Sequence, residues 1–282
     1  MQKVSHGAQQ LCVRSAGLRV GIFDSGVGGL NVLGACMRRL PDCRYYYYGD
    51  NRHAPYGSRS EGEILCFVRA ALKKFRRLGV DAAVLACNTA TAVCAERMRA
   101  EFSFPVIGME PAVAPAARLC KNVLVLATPL TADSARLHAL LARFPDCRFT
   151  VCPLPDLAGA IERYFALGER LTISDHLPPG HFDGVVLGCT HYPFFGREIG
   201  EFYRAPVFDG ADGTANRLFS VLIGGEESDK CGTDDHHYPK QNPNKCFTKI
   251  YTKRQKKGVI FLGNAQKINK KVYFSNICFK NK

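Results

Sequence analysis

Short, continuously apolar segments alternate with segments of helical periodicity along most of this chain, and this alternation limits the possible folds more than any other feature. The predicted strands at residues 18–23, 82–86 and 123–126 are apolar at consecutive positions, which is typical of strands covered on both faces. Because a helical segment follows each strand, the pattern predicts parallel sheets packed between helices. No apolar run approaches the ~20 residues of a transmembrane helix, so we expect no association with a membrane.

The same arrangement of strands and loops occurs twice. Asp24, which follows the first predicted strand, lies 63 residues before Cys87. Thr128, which follows the first strand of the second half, lies 61 residues before Cys189. This spacing predicts two pseudo-symmetric α/β units that face each other. Their strands are predicted at residues 18–23, 45–48, 82–86 and 106–108, and at residues 123–126, 148–152, 185–187 and 207–208.

Polar loops follow four of these strands, at the sheet edge where ligands bind in parallel α/β proteins. Two of the loops contain Cys87 and Cys189, each just before a predicted helix. A helix N-terminus offers unpaired N–H groups to a carboxylate and lowers the pKa of a nearby thiol. We therefore expect thiolate to be available near neutral pH, although each cysteine could equally be a small buried residue at the end of a strand. The chain has 13 cysteines and no CxxC motif, which favours a reduced protein.

Two cysteines on opposed loops suggest proton transfer at a carbon atom. One thiolate would remove a proton while the other cysteine, as a thiol, returns one on the opposite face, which inverts a stereocentre. Asp24 and His191 are placed to assist one cysteine each.

The sequence predicts no cofactor and no metal. Lysine at residues 1–223 is confined to positions 3, 73, 74 and 121, none of which follows a predicted strand, so no lysine is placed to bind pyridoxal phosphate. The glycines after the first strand lack the spacing of a dinucleotide-binding motif, and no phosphate-binding GK[ST] motif is present.

The net charge of +13 is unevenly distributed. Residues 224–282 hold 13 Lys and Arg against 5 Asp and Glu, a net charge of +8, and they are rich in Lys and Asn. The rest of the chain therefore carries only +5, so the charge does not favour nucleic acid as a partner of the folded body. We hypothesise that this basic C-terminal extension is dispensable, which truncation at Gly225 would test.

Five segments, in this order, closely resemble the glutamate racemase family: GIFDSGVGGLNVL (21–33), YGDNRHAPYGSRS (48–60), ACNTATA (86–92), ATPLTADS (127–134) and GCTHYP (188–193). The resemblance covers residues 19–223. It implies two flavodoxin-like, parallel-sheet α/β domains with the active site in the cleft between them. It also implies a cytoplasmic, often dimeric enzyme that interconverts L- and D-glutamate without a cofactor and supplies D-glutamate for bacterial peptidoglycan. The first domain would comprise residues 19–110 and 209–223, and the second residues 111–208.

Residue by residue, the resemblance makes Cys87 and Cys189 the acid/base pair and Asp24 and His191 their assisting groups. Glu162 is a possible further helper, although its spacing from Cys152 is longer than the family pattern. The positions implied for substrate binding are Ser25, Tyr56, Gly57, Asn88, Thr89, Thr128, Thr131 and Thr190.

Three alternatives remain open from sequence, and one is a cysteine hydrolase, which would form a covalent acyl-enzyme and need only one essential cysteine. The chain could be a racemase for aspartate or another amino acid, because the same loops would serve a side chain of different length. It could also be a regulatory or nucleic-acid-associated binding protein that uses the basic extension.

Overall fold

The computed structural model describes residues 17–224, together with two short strands at residues 259–264 and 278–279. The remainder of the predicted basic extension lies outside the described residues. In the described part, no helix is long and apolar enough to cross a membrane.

The first sheet has four parallel strands in the order β2-β1-β3-β4. Two antiparallel strands from the extension continue it beyond β2: β9 pairs with every residue of β2, and β10 pairs with β9. This pairing counts against our hypothesis that the whole extension is dispensable, because β9 covers an edge of the sheet. The strands are β1 (Arg19–Asp24), β2 (Arg44–Gly49), β3 (Ala82–Leu85), β4 (Val106–Gly108), β9 (Val259–Asn264) and β10 (Cys278–Phe279).

The second sheet has the order β6-β5-β7-β8, and all four strands are parallel. When the four parallel strands of each sheet are numbered one to four along the chain, both sheets have the same spatial order, two-one-three-four. The prediction of two pseudo-symmetric, parallel-sheet α/β units is therefore confirmed. The strands are β5 (Asn122–Ala127), β6 (Arg148–Pro153), β7 (Gly184–Gly188) and β8 (Val207–Asp209).

Helices connect the strands, and their ends follow local sequence signals. Ser60 and Glu63 form a reciprocal capping box at the start of α2. Gly168 ends α7 in the left-handed conformation, with φ 70°. The helices are α1 (Leu30–Arg39), α2 (Glu61–Arg77), α3 (Asn88–Glu101), α4 (Val113–Leu119), α5 (Pro129–Ala132), α6 (Ala135–Leu141), α7 (Leu157–Leu167), α8 (Gly196–Tyr203) and α9 (Ala211–Ile223).

The chain crosses between the halves twice. After β4 it passes to α4 and the second sheet, and after β8 it returns, so that α9 packs against α1 and against β3 and β4 of the first sheet. Arg39 of α1 stacks over the ring of Phe219 in α9, with its guanidinium carbon 3.5 Å from the ring centroid. This packing supports the discontinuous first domain that we propose below.

Candidate active site

The carboxyl ends of equivalent strands in the two sheets bring the predicted residues together. β1 ends at Asp24 and β3 is followed by Cys87, while β5 is followed by Thr128 and β7 by Cys189. These four residues are all buried. The two halves meet directly at this edge, because the hydroxyl of Thr190 donates to Asp24 Oδ1 over 3.2 Å.

Cys87 caps the N-terminus of α3. Its Sγ accepts the backbone N–H of Ala90 at 3.4 Å, and the residue is only 4% exposed. Burial and the nearby Asp24 raise the pKa of Cys87 to about 12, although hydrogen bonds from Ser25 and Ala90 act to lower it. The expectation that the helix N-terminus makes thiolate available near neutral pH is therefore wrong for Cys87. The loss of solvation raises the pKa of the thiol by more than the N–H groups of the helix N-terminus lower it.

Asp24 is fully buried beside Cys87. Its Oδ2 accepts the backbone N–H of Gly26 at 3.0 Å. Burial raises the pKa of Asp24, while the charge of His191 acts to lower it. A carboxyl group whose pKa is raised can hold or release a proton close to the thiol, which suits an assisting role.

A chain of contacts links Cys189 to Glu162 through His191. His191 Nδ1 lies 3.6 Å from Cys189 Sγ, and its Nε2 lies 2.6 Å from Glu162 Oε1. The same Glu162 oxygen accepts the backbone N–H of Val27 at 3.1 Å. Glu162 on α7 of the second half therefore also holds the loop after β1 of the first half. Gly26 makes room for it, because a Cβ atom there would lie 1.8 Å from Oε1.

His191 is buried, which by itself lowers its pKa. Its hydrogen bonds to Cys189 and Glu162 and the charge of Glu162 outweigh burial, so the pKa lies well above the usual 6.5. A protonated His191 can stabilise a thiolate at Cys189 or return a proton to it.

Three threonine hydroxyls form a buried cluster across the two halves. Thr89 Oγ1 at the start of α3 lies 2.9 Å from Thr128 Oγ1, and Thr128 donates to Thr131 over 3.0 Å. Gly57 approaches the same place, since a Cβ atom there would lie 3.3 Å from Thr128 Cβ. The cluster offers hydroxyl donors and acceptors without adding charge.

Asn88 presents a buried amide group next to Cys87. Its side chain is buried, yet neither the amide nitrogen nor the amide oxygen has a hydrogen-bond partner among the described residues. Buried amides are almost always paired, and leaving one unpaired costs about 1–3 kcal/mol. Asn88 follows Cys87 directly at the start of α3, so its amide is available to a polar ligand at this helix N-terminus.

Tyr56 and Ser25 lie at the same edge. The hydroxyl of Tyr56 donates to buried Asp50 over 2.7 Å. Burial raises the pKa of the tyrosine, and the charge of Asp50 raises it further. Asp50 also contacts His53 Nδ1 at 2.9 Å. Sequence reasoning missed Asp50, although its position at the end of β2 is the signal that selected Asp24. It also missed Asn31, whose amide donates to the carbonyl of Thr190 over 3.3 Å.

Across residues 17–224, no group of three or more His, Cys, Asp and Glu side chains is arranged to hold a metal ion.

The fold and the paired loops define the class of protein, and similarity to known proteins agrees with it. The family model described as Asp/Glu/Hydantoin racemase matches residues 31–218, which is more than half of the chain. This confirms that the protein is an amino-acid racemase, an isomerase, as the motifs led us to expect. The chain belongs to the Asp/Glu racemase family.

Curated relatives support this assignment. The glutamate racemase of Campylobacter curvus is 39% identical over 224 residues, which span 73% of this chain and 83% of that protein. The glutamate racemase of Clostridium acetobutylicum is 34% identical over 227 residues, 75% of this chain and 89% of the relative.

Solved structures show the same two-domain fold. Escherichia coli glutamate racemase, determined with L-glutamate and the activator UDP-MurNAc-Ala, superimposes with a TM-score of 0.66 at 34% identity. The match covers 73% of this chain and 82% of that chain. A glutamate racemase isoform from Bacillus anthracis gives a TM-score of 0.65 at 30% identity, with 73% and 81% covered.

Proposed function

We propose that this protein interconverts L- and D-glutamate by a two-base mechanism in which Cys87 and Cys189 exchange protons with Cα. The observation that carries this proposal is the placement of two buried thiols at equivalent strand ends of opposed sheets, next to the unpartnered amide of Asn88. Glutamate as the substrate is supported by relatives that are 34–39% identical and named glutamate racemases.

Each turnover needs one thiolate and one thiol. In one direction, the thiolate takes the Cα proton and becomes a thiol, while the opposite thiol gives its proton to the other face of Cα and becomes a thiolate. The substrate is inverted, and the protonation states of the two cysteines are exchanged. The protein returns to its starting state by the reverse turnover or by proton exchange with water.

Neighbouring groups would assist each thiol. Asp24 is placed beside Cys87 as its proton partner, and His191, held by Glu162, is placed beside Cys189. Burial raises the pKa of Cys87, so formation of its thiolate would be favoured by a nearby positive charge, which the ammonium group of a bound amino acid can supply.

The substrate would be held by neutral groups. The Asn88 amide, the cluster of Thr89, Thr128 and Thr131, and the N–H groups at the start of α3 can bind carboxylates without neutralising a thiolate. The remaining positions that we propose for binding are Ser25, Tyr56, Gly57 and Thr190.

Racemisation in D2O tests the mechanism. The full-length protein would be incubated with each enantiomer of glutamate without added cofactor, and optical rotation and deuterium at Cα would be followed. We expect racemisation with uptake of one deuteron at Cα in the initial product. Cys87→Ala and Cys189→Ala should each abolish racemisation, whereas Cys66→Ala, at an exposed cysteine, serves as the matched control.

Two results would refute the proposal. One is a wild-type protein that exchanges no Cα proton of glutamate, and the other is a single-cysteine variant that still racemises fully. Aspartate in the same assay distinguishes the alternative substrate, because faster turnover of aspartate would replace glutamate in the proposal.

We also propose the cellular role and the domain division that the family resemblance implies. Supply of D-glutamate for peptidoglycan would be tested by rescue of a bacterium that needs D-glutamate for growth. The packing of α9 on α1 supports a first domain of residues 19–110 and 209–223 around a second domain of residues 111–208. A homodimer and a cytoplasmic location remain predictions from the resemblance.

A further inference from the structure

The two chain crossings between the halves lie against each other. The outward crossing passes through Glu110 after β4, and the return crossing passes through Gly210 after β8. A Cβ atom on Gly210 would lie 2.1 Å from the carbonyl oxygen of Glu110 and 3.2 Å from Met109 Cε. The backbones of the two crossings are therefore in direct contact, and we call this place the joint between the halves.

Arg136 on α6 of the second half reaches across to this joint. Its Nη1 lies 3.1 Å from Glu96 Oε1 on α3 of the first half, and its Nη2 contacts Glu110 at the outward crossing. Glu96 is also held by Arg99, at 2.6 Å, and Arg99 in turn donates to the carbonyl of Val106 in β4. One guanidinium thus ties α6 both to the helix that begins beside Cys87 and to the crossing itself.

The position of this contact relates it to the site. α3 carries Asn88 and Thr89 in its first turn and Glu96 about two turns later. α6 follows directly on the segment that carries Thr128 and Thr131. A contact between Arg136 and Glu96 therefore fixes the distance between two substrate-binding segments that belong to different halves.

We propose that Arg136 is a positioning residue that favours the closed arrangement of the two halves through Glu96 and Glu110. This inference rests on the proposed function, since it assumes that glutamate binds between the halves. Arg136 does not touch the reacting atoms. It raises the fraction of free protein that is ready to bind, and the apparent affinity scales with that fraction.

Arg136→Gln should therefore raise KM and leave kcat nearly unchanged, because saturating substrate itself draws the halves together. The pairs are partly exposed, with 29% of the Arg136 side chain and 75% of Glu96 accessible, so each is individually weak. We expect KM to rise about three- to tenfold. Arg197→Gln, which removes an exposed pair with Glu201 on α8, is the matched control and should change neither constant.

Three results would overturn the proposal: an unchanged KM in Arg136→Gln, a fall in kcat without a rise in KM, or the same change in the Arg197 control. Salt gives a second kinetic test, because screening weakens partly exposed ion pairs. KM of the wild type should rise with ionic strength more steeply than KM of Arg136→Gln, and equal slopes would contradict the inference. A double-mutant cycle with Glu96→Gln should show that the two substitutions are not independent.

A readout without activity separates this inference from the proposed function. Hydrogen exchange of peptides that span residues 108–112 and 209–212 should be faster in Arg136→Gln than in the wild type or in Arg197→Gln. If the wild type does not racemise glutamate but this difference is present, the proposed function fails and the positioning by Arg136 stands. If exchange is the same in all three proteins, the positioning role is refuted.

Discussion

Gly26→Ala is the sharpest perturbation that the site offers, because it acts on Glu162 without changing any ionisable group. The new Cβ atom would lie 1.8 Å from Glu162 Oε1, 2.8 Å from Glu162 Cδ and 3.3 Å from His191 Nε2. Ordinary contact needs at least 3.4 Å, so Oε1 must move by about 1.6 Å. The end of a glutamate side chain can make this movement, so we expect the protein to fold.

The movement has a chemical cost. Oε1 accepts both His191 Nε2 at 2.6 Å and the N–H of Val27 at 3.1 Å, and a displacement of this size breaks both contacts. Hydrogen bonds to charged groups contribute about 1.5–3 kcal/mol each. If the transition state loses about 2–3 kcal/mol of this hydrogen-bond stabilisation, kcat/KM falls about 30- to 150-fold.

The assay is racemisation of L-glutamate followed by circular dichroism, with thermal unfolding measured in parallel. Gly62→Ala is the matched control, since nothing lies within 4 Å of a Cβ atom at that position in α2. It should keep full activity. A Gly26→Ala variant with the wild-type rate would refute the reasoning. The reasoning would also be refuted if Gly26→Ala lowered kcat/KM by the same factor in a Glu162→Ala protein as in the wild type. The clash is absent in Glu162→Ala, so Gly26→Ala should have little further effect there.

Three further predictions concern the thiol, the imidazole and the sheet edge. Because the pKa of Cys87 is about 12, we expect no thiolate absorbance from this residue between about pH 7 and pH 10 when no substrate is added. A difference in thiolate absorbance between wild type and Cys87→Ala in that range would contradict the burial argument. The pKa of His191 is raised on folding, so its stabilising contribution is complete below the unfolded value of about 6.5 and is lost as the pH rises through the higher folded value. The stability advantage of the wild type over Glu162→Gln, measured by urea unfolding, should therefore shrink above pH 6.5, and an advantage that grows with pH would be inconsistent with this sign. Truncation after Gly224 removes β9 and uncovers β2, so we expect a lower Tm and stronger concentration-dependent association in light scattering than in the full-length protein. A truncated protein with the Tm and the association state of the full-length protein would restore the hypothesis that the extension is dispensable.

The order of strands and helices could be predicted because apolar strands and helix signals agree locally. The end of α7 at Leu167 follows from the sequence, since Gly168 supplies a clear C-terminal signal. The helix α4 is hard to predict because it is short and contains Pro115 in its first turn, a position that tolerates proline although proline usually indicates the end of a helix. The short helices α5 and α6 are separate because Ser134 caps the start of α6.

The site was predictable where a single loop carries the information. Cys87 and Cys189 could be selected because each follows a strand, and position in a parallel sheet fixes the edge at which a loop lies. The contact between Glu162 and Val27 joins residues 135 positions apart, and no local pattern reports it. The pKa of Cys87 was predicted in the wrong direction for the same reason, since desolvation depends on what other segments pack against the thiol.

The unlike surroundings of the two thiols have a thermodynamic consequence. Cys87 has Ser25 and Asp24 beside it, whereas Cys189 has His191 and Glu162, so the two directions of the proposed reaction meet different groups. Enantiomers in water have equal free energies, and their equilibrium constant is one. The ratio kcat/KM must then be the same for L- and D-glutamate, whatever the difference between the thiols. Substitutions near either cysteine can therefore make kcat and KM unequal between the enantiomers, but only in exact proportion to each other.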